Sequence, residues 1–142
     1  MIWSKATEQA LRGLIYLASQ RRGEPVLSRQ IADYLGVPVQ CITKVMRSLA
    51  KRGLLASVKG RGGGFILLPA AEHLTIMDVV EAVEGHAALS LHCVLGLKVC
   101  ADETACPLHR QWTDLRRQEM DWLRTQTIGE MAKMSSVALQ TA

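Results

Sequence analysis

The chain has 142 residues, enough for one domain or one small domain with an extension. Apolar residues make up 49% of it, sufficient for a core, while aromatics are only 4% and the net charge is +4. No run approaches 18 apolar residues, which excludes a membrane-spanning helix. The opening M-I-W-S-K-A-T-E has no apolar stretch of the kind a signal peptide needs.

Ala6, Ala10, Leu14, Leu17 and Ala18 recur at helical spacing, with Leu11 and Ile15 widening the stripe. Ser4 is placed to cap this helix, which the pattern extends from about Lys5 to Gln20 before Arg21-Arg22-Gly23-Glu24-Pro25 ends it. Ser28 can cap a short second helix, Arg29 to Leu35, with Leu27 at the position of a hydrophobic staple. Gly36 can take the left-handed conformation that closes it. Pro38 then opens a third helix running to about Arg52, with Ile42, Val45, Met46 and Leu49 facing inward. Lys44, Arg47, Lys51 and Arg52 take the other sides. Two helices joined by a short glycine turn, the second basic on its outer side, form the helix-turn-helix pattern.

Leu54 to Val58 and Phe65 to Leu68 are short runs of strand formers around Lys59-Gly60-Arg61-Gly62-Gly63-Gly64. A hairpin with a glycine-rich basic tip is a wing. Glycine lets the backbone approach a phosphate closely, and Arg61 suits a narrow minor groove. A nucleotide-binding phosphate loop is the weaker reading, because no G-x-x-x-x-G-K-[ST] occurs and a strand follows. Charge supports the first reading. Between Ser28 and Pro69 seven basic residues face one acid, Asp33, so this segment carries +6 and the remainder −2. A basic block in an otherwise slightly acidic chain points to a polyanion site. The candidate DNA contacts are Ser28, Gln40, Thr43, Lys44, Arg47, Lys59, Arg61, Gly62 and Gly63. The first turn of the third helix, including Val39, would enter the major groove.

Thr75-Ile-Met-Asp78 has the form of a capping box opening a helix that ends at Gly85, with Ile76, Val79, Val80 and Val83 as its apolar face. From about Leu108 a long helical pattern resumes, carrying Trp112, Leu115, Trp122 and Leu123. Side chains this large call for a partner helix, and packing both on a second copy and on the first helix is expected. Thr127-Ile-Gly-Glu130 starts a last short helix, and Ser135 to Ala142 are small and polar, so fraying is expected there. The expected fold class is therefore mainly α with a small β-hairpin wing: a winged helix-turn-helix with a long C-terminal dimerisation helix. Its expected divisions are a DNA-binding domain at 1–85 with the wing at 54–68, a cysteine-bearing loop at 86–109, and the dimerisation and C-terminal helices at 110–135.

The remaining motif is Cys93, Cys100, Cys106 and His109, spaced C-x6-C-x5-C-x2-H. Nothing in the sequence indicates an oxidising compartment; the expected location is cytoplasmic, where stable disulfides are rare. Gly96, Lys98, Asp102, Glu103 and Pro107 between the cysteines read as a loop rather than an apolar face. Zinc sites usually open with two ligands two to four residues apart. No C-x2-C occurs here, and the wider gaps leave room for a larger group such as an iron–sulfur cluster. No catalytic set is visible: His73, His86 and His92 have no nucleophile at recognisable spacing, although His92 adjoins Cys93 and could tune a cluster there. An enzyme is not expected.

The helix-turn-helix, the wing V-K-G-R-G-G-G-F, the segment L-T-I-M-D-V-V-E-A-V-E-G and the three cysteines resemble, over about residues 1 to 135, the bacterial family of dimeric winged-helix regulators. That family includes the iron–sulfur regulator IscR, the nitric-oxide-sensing repressor NsrR and the iron regulator RirA. The resemblance implies a homodimer that binds double-stranded DNA at a near-palindromic operator, acts as a repressor, and carries a 2Fe–2S or 4Fe–4S cluster on Cys93, Cys100 and Cys106. It implies a fourth ligand that is either His109, as in IscR-like members, or a helix-one carboxylate of the other subunit, as in NsrR-like members, here Glu8. The first gap is one residue wider than the commonest pattern, which favours Glu8. The family's base-reading positions match Gln40, Thr43 and Lys59. Nitric oxide, redox state and iron or cluster supply are the implied signals. A cluster-free regulator answering to a protein or metabolite partner is the alternative.

Overall fold

The computed structural model describes residues 3–68, 73–86, 92–98, 100–104 and 106–134. Helix α1 spans Lys5–Ala18, and the Ser4 hydroxyl accepts the Thr7 N–H at 3.3 Å as its cap. It stops two residues before the expected Gln20, because the Ser19 hydroxyl donates to the Tyr16 carbonyl at 2.6 Å and competes with continued helix. Helix α2 spans Ser28–Leu35. Ser28 is its first helical residue rather than its cap. The capping position is Leu27, whose N–H donates to Gln30 Oε1 at 2.9 Å. Leu27 is also 48% exposed, so the expected hydrophobic staple is absent. Gly36 closes α2 at φ 68° as expected, and the Arg12 guanidinium donates to the Leu35 carbonyl at that helix end at 2.9 Å.

Helix α3, Val39–Lys51, begins one residue after Pro38, which serves as its cap in extended conformation. Ile42, Val45, Met46 and Leu49 are buried as the periodicity required. With Leu14 of α1 and Ile31 and Leu35 of α2 they form the centre of the core. Strands β1, Leu55–Val58, and β2, Gly64–Leu67, pair antiparallel with Leu55 opposite Leu67 and Val58 opposite Gly64. The wing is anchored from a third side. Val26 and Phe65 exchange both backbone hydrogen bonds, at 3.0 and 2.9 Å. That contact needs a glycine beside it: a Cβ on Gly64, at φ 138°, would lie 2.3 Å from the Val26 carbonyl oxygen.

Helix α4 spans Ile76–Glu84 and opens with the expected capping box. The Thr75 N–H donates to Asp78 Oδ2 at 2.8 Å and the Asp78 N–H to Thr75 Oγ1 at 3.2 Å. Helix α5 spans His109–Thr125 and α6 spans Ile128–Met134. Here the packing departs from the sequence reading. Helix α5 lies against α4, and it is α6 that packs along α1, with Ile128 fully buried. A backbone clasp places them: the Ile76 N–H donates to the Gln126 carbonyl at 3.0 Å, and the Ile128 N–H to the Leu74 carbonyl at 2.8 Å. Of the residues of α5 only Leu123 is buried; Leu115 is 57% and Trp122 48% exposed. Ser135 to Ala142 lie outside the described residues. No helix among the described residues is long and apolar enough to cross a membrane.

Candidate DNA interface and cysteine centre

The outer face of α3 is a shallow concavity lined by Val39, Gln40, Thr43, Lys44, Arg47, Ser48 and Lys51. The apolar stripe of the same helix is in the core, so helical periodicity alone turns these side chains outward. Gln40, Lys44 and Arg47 are exposed. Thr43 is half-buried, and its hydroxyl donates back to the Val39 carbonyl at 2.8 Å, leaving its methyl group and remaining lone pairs outward. Ser28 sits half-buried at the start of α2.

At the wing tip Lys59, Arg61 and Gly62 are exposed. Gly63 is not. It is buried inside the turn, its N–H donates to the Gly60 carbonyl at 3.0 Å, and a Cβ there would lie 2.3 Å from the Val58 oxygen. Its amide is used within the hairpin and is not free for a phosphate. Gly63 shapes the tip that presents Arg61.

The cysteine loop closes in front of the first turn of α5. Cys93 Sγ lies 4.0 Å from Cys106 Sγ, and Cys100 Sγ lies 3.5 Å from His109 Nδ1. All three thiols are free, with Cys93 buried and the other two half-buried. Backbone N–H groups of Leu97 and then Leu95 hold the Cys93 thiol below its ordinary pKa, outweighing burial. Burial pushes the Cys100 thiol up, and the nearby Cys93, Cys106 and Asp102 charges add to this. Among the described residues no three His, Cys, Asp or Glu side chains converge on one metal ion. The four donors instead stand as two pairs.

Two contacts here escaped the sequence reading. His109 Nε2 is 3.0 Å from Asp102 Oδ1, at the start of a 3-10 turn spanning Asp102–Thr104. Trp112 Nε1 donates to the His92 carbonyl at 2.6 Å, tying the residue before Cys93 to α5. An acid two positions after a cysteine was the only available signal for the first. The second joins residues 20 apart and leaves no local signature. Glu8, the other candidate ligand, is ion-paired with Lys5 on its own helix at 2.8 Å. Cys41 is exposed on α3, away from the loop in sequence.

A helix-turn-helix with a basic outer face and a hairpin wing beside it define the winged-helix architecture of a transcriptional regulator. Known proteins agree. The family model described as Rrf2, iron-dependent transcriptional regulator, matches residues 3–134, and the chain belongs to that family. It is 30% identical to the HTH-type transcriptional regulator IscR of Vibrio campbellii, over 90% of this chain and 75% of that protein. It is 34% identical to the transcriptional repressor NsrR of Streptomyces coelicolor, over 78% of this chain and 74% of that one. In fold it is similar to CymR, the global cysteine regulator of B. subtilis, with a TM-score of 0.77 at 19% identity, covering 94% of this chain and 98% of that one.

Proposed function

We propose that this regulator binds a near-palindromic operator as a homodimer and that an iron–sulfur cluster on the cysteine loop controls the binding. The observation that carries the reading is the pairing of Cys93 with Cys106 and of Cys100 with His109 in the loop before α5. Two thiolates on one tetrahedral metal at ~2.3 Å stand about 3.8 Å apart, close to the 4.0 Å between Cys93 and Cys106. Two donor pairs suit a 2Fe–2S cluster, in which each iron takes two protein ligands, better than a 4Fe–4S cluster with one ligand per corner. Cys93, Cys106, Cys100 and His109 are then the ligands. His109 is preferred to Glu8 of the partner subunit because His109 already stands beside Cys100, whereas Glu8 is engaged by Lys5. When bound, a cluster supplies a centre reactive towards oxidants and nitric oxide and dependent on iron supply.

The chain's own residues connect that loop to DNA. Cys93 is held by backbone N–H groups, and its neighbour His92 is tied to α5 through Trp112. The half-exposed face of α5 is the dimer surface, so the order of the loop and the spacing of the two α3 helices are linked. Gln40 and Thr43 read base edges, Lys44, Arg47 and Lys59 meet phosphates or bases near the groove edges, and Arg61 reaches the minor groove. Ser28 and the Gly62 amide complete the set as contacts to the DNA backbone. A coupling of about 1.4 kcal/mol changes DNA affinity tenfold.

The separation of Cys93 and Cys106 also favours a second reading, a cluster-free thiol switch. Anaerobic purification separates the two. The cluster reading expects brown protein containing iron and sulfide, colour lost in C93A, C100A or C106A, and operator binding that changes with oxidant, nitric oxide or chelator. A colourless, iron-free wild type with normal operator binding refutes it.

A further inference from the structure

His109 has its two ring nitrogens in different company. Nδ1 faces Cys100 Sγ at 3.5 Å, and Nε2 faces Asp102 Oδ1 at 3.0 Å. The ring is held between them with its side chain only 12% exposed, at the first position of α5. An ionised carboxylate can only accept a hydrogen bond, so a carboxylate at this position favours the proton on the nitrogen facing it. In the neutral imidazole the lone pair is then on Nδ1, directed to the thiol side of the loop. Metal-bound histidines nearly always donate their other N–H to a carboxylate, a carbonyl or water, and that partner sets ring orientation and ligand basicity.

Asp102 has little other reason to be where it is. Its side chain is 100% exposed, so the contact adds little to fold stability. It opens the Asp102–Thr104 3-10 turn, and its carboxylate comes back to the first residue of α5.

We infer that Asp102 is a positioning residue that selects the His109 tautomer and presents Nδ1, not Nε2, as the ligand beside Cys100. This rests on the cluster reading above. It adds to it a residue outside the cysteine–histidine set and a choice of nitrogen. A carboxylate partner also makes the imidazole a stronger donor, so an iron held by Cys100 and His109 is retained more firmly and is harder to reduce.

The test uses the full chain with D102A, D102N, D102E and H109A. Nitrogen-15 NMR of the metal-free protein reads the His109 tautomer without any cluster. Wild type and D102E should show the Nε2–H form, and D102A a mixture of both tautomers. In anaerobically loaded protein D102A should lose iron to a chelator about 10–100-fold faster. Its reduction midpoint should move to a more positive value, with D102N between and D102E close to wild type. A merely structural role for Asp102 would move neither the tautomer nor the midpoint. An unchanged tautomer and midpoint in D102A overturn the assignment while leaving the cluster reading intact. Wild-type protein that never takes up iron overturns the ligation, and the NMR result then decides the tautomer alone.

Discussion

The exposed face of α5 makes the proposed dimer open to a quantitative test. Trp122 is 48% and Leu115 57% exposed in the single chain. A tryptophan buries up to about 250 Å2, so covering the rest of Trp122 removes roughly 120 Å2 from water, worth about 3 kcal/mol. Covering the rest of Leu115 adds about 1 kcal/mol. A symmetric dimer uses each residue twice, which makes the pair worth about 8 kcal/mol at full burial. If only half is realised, replacing both residues by Ser weakens the dimer about 1,000-fold. Neither residue is in the core of the single chain, so the variant should keep its helical circular dichroism. Sedimentation velocity from nanomolar to micromolar protein reads the dissociation constant, and operator binding should weaken in parallel. A wild-type monomer at micromolar concentration, with or without iron, would refute the reasoning and remove α5 as the link between loop and operator.

Arg61→Ala should weaken binding to all DNA sequences alike and lower the salt slope by about one, whereas Gln40→Ala should cost about 1–3 kcal/mol at one base position only; salt-dependent titrations with operator variants separate the two. Gly63→Ala forces a Cβ to 2.3 Å from the Val58 carbonyl oxygen, at a cost of roughly 1–3 kcal/mol, so DNA affinity should drop with little loss of helix; wild-type affinity would show that the wing tip is not used. Glu84 should give a pH signature. The Ser4 and Thr7 hydroxyls and the Ser4 N–H hold its carboxyl below the ordinary value of 4.5. The stabilisation is therefore present above that value and lost as pH falls through the lower, folded-state value. Glu84→Gln should remove this acid-side loss, together with up to about 1 kcal/mol at neutral pH for a solvent-screened contact, as read by urea unfolding at pH 3 to 7.

The elements of this fold were legible because their causes are local. Ser4 and the Thr75–Asp78 box mark helix starts, Gly36 marks a stop, and the stripe of Ile42, Val45, Met46 and Leu49 turns Gln40, Lys44 and Arg47 outward by periodicity alone. The spacing of Cys93, Cys100, Cys106 and His109 likewise marked them as one group, and the fold brings Cys93 beside Cys106 and Cys100 beside His109. Periodicity shows that a face is apolar without showing what covers it. The neighbours of α5 and α6 were therefore settled only by the clasp between residues 74–76 and 126–128. The same holds inside the loop. Whether His109 or a distant carboxylate stands beside Cys100 depends on a 3-10 turn and on the entry angle of α5, which long-range packing sets. Gly63 read as one more wing-tip glycine, but only the folded turn shows that its amide is spent on Gly60 and that the Val58 carbonyl fills the space a side chain would need.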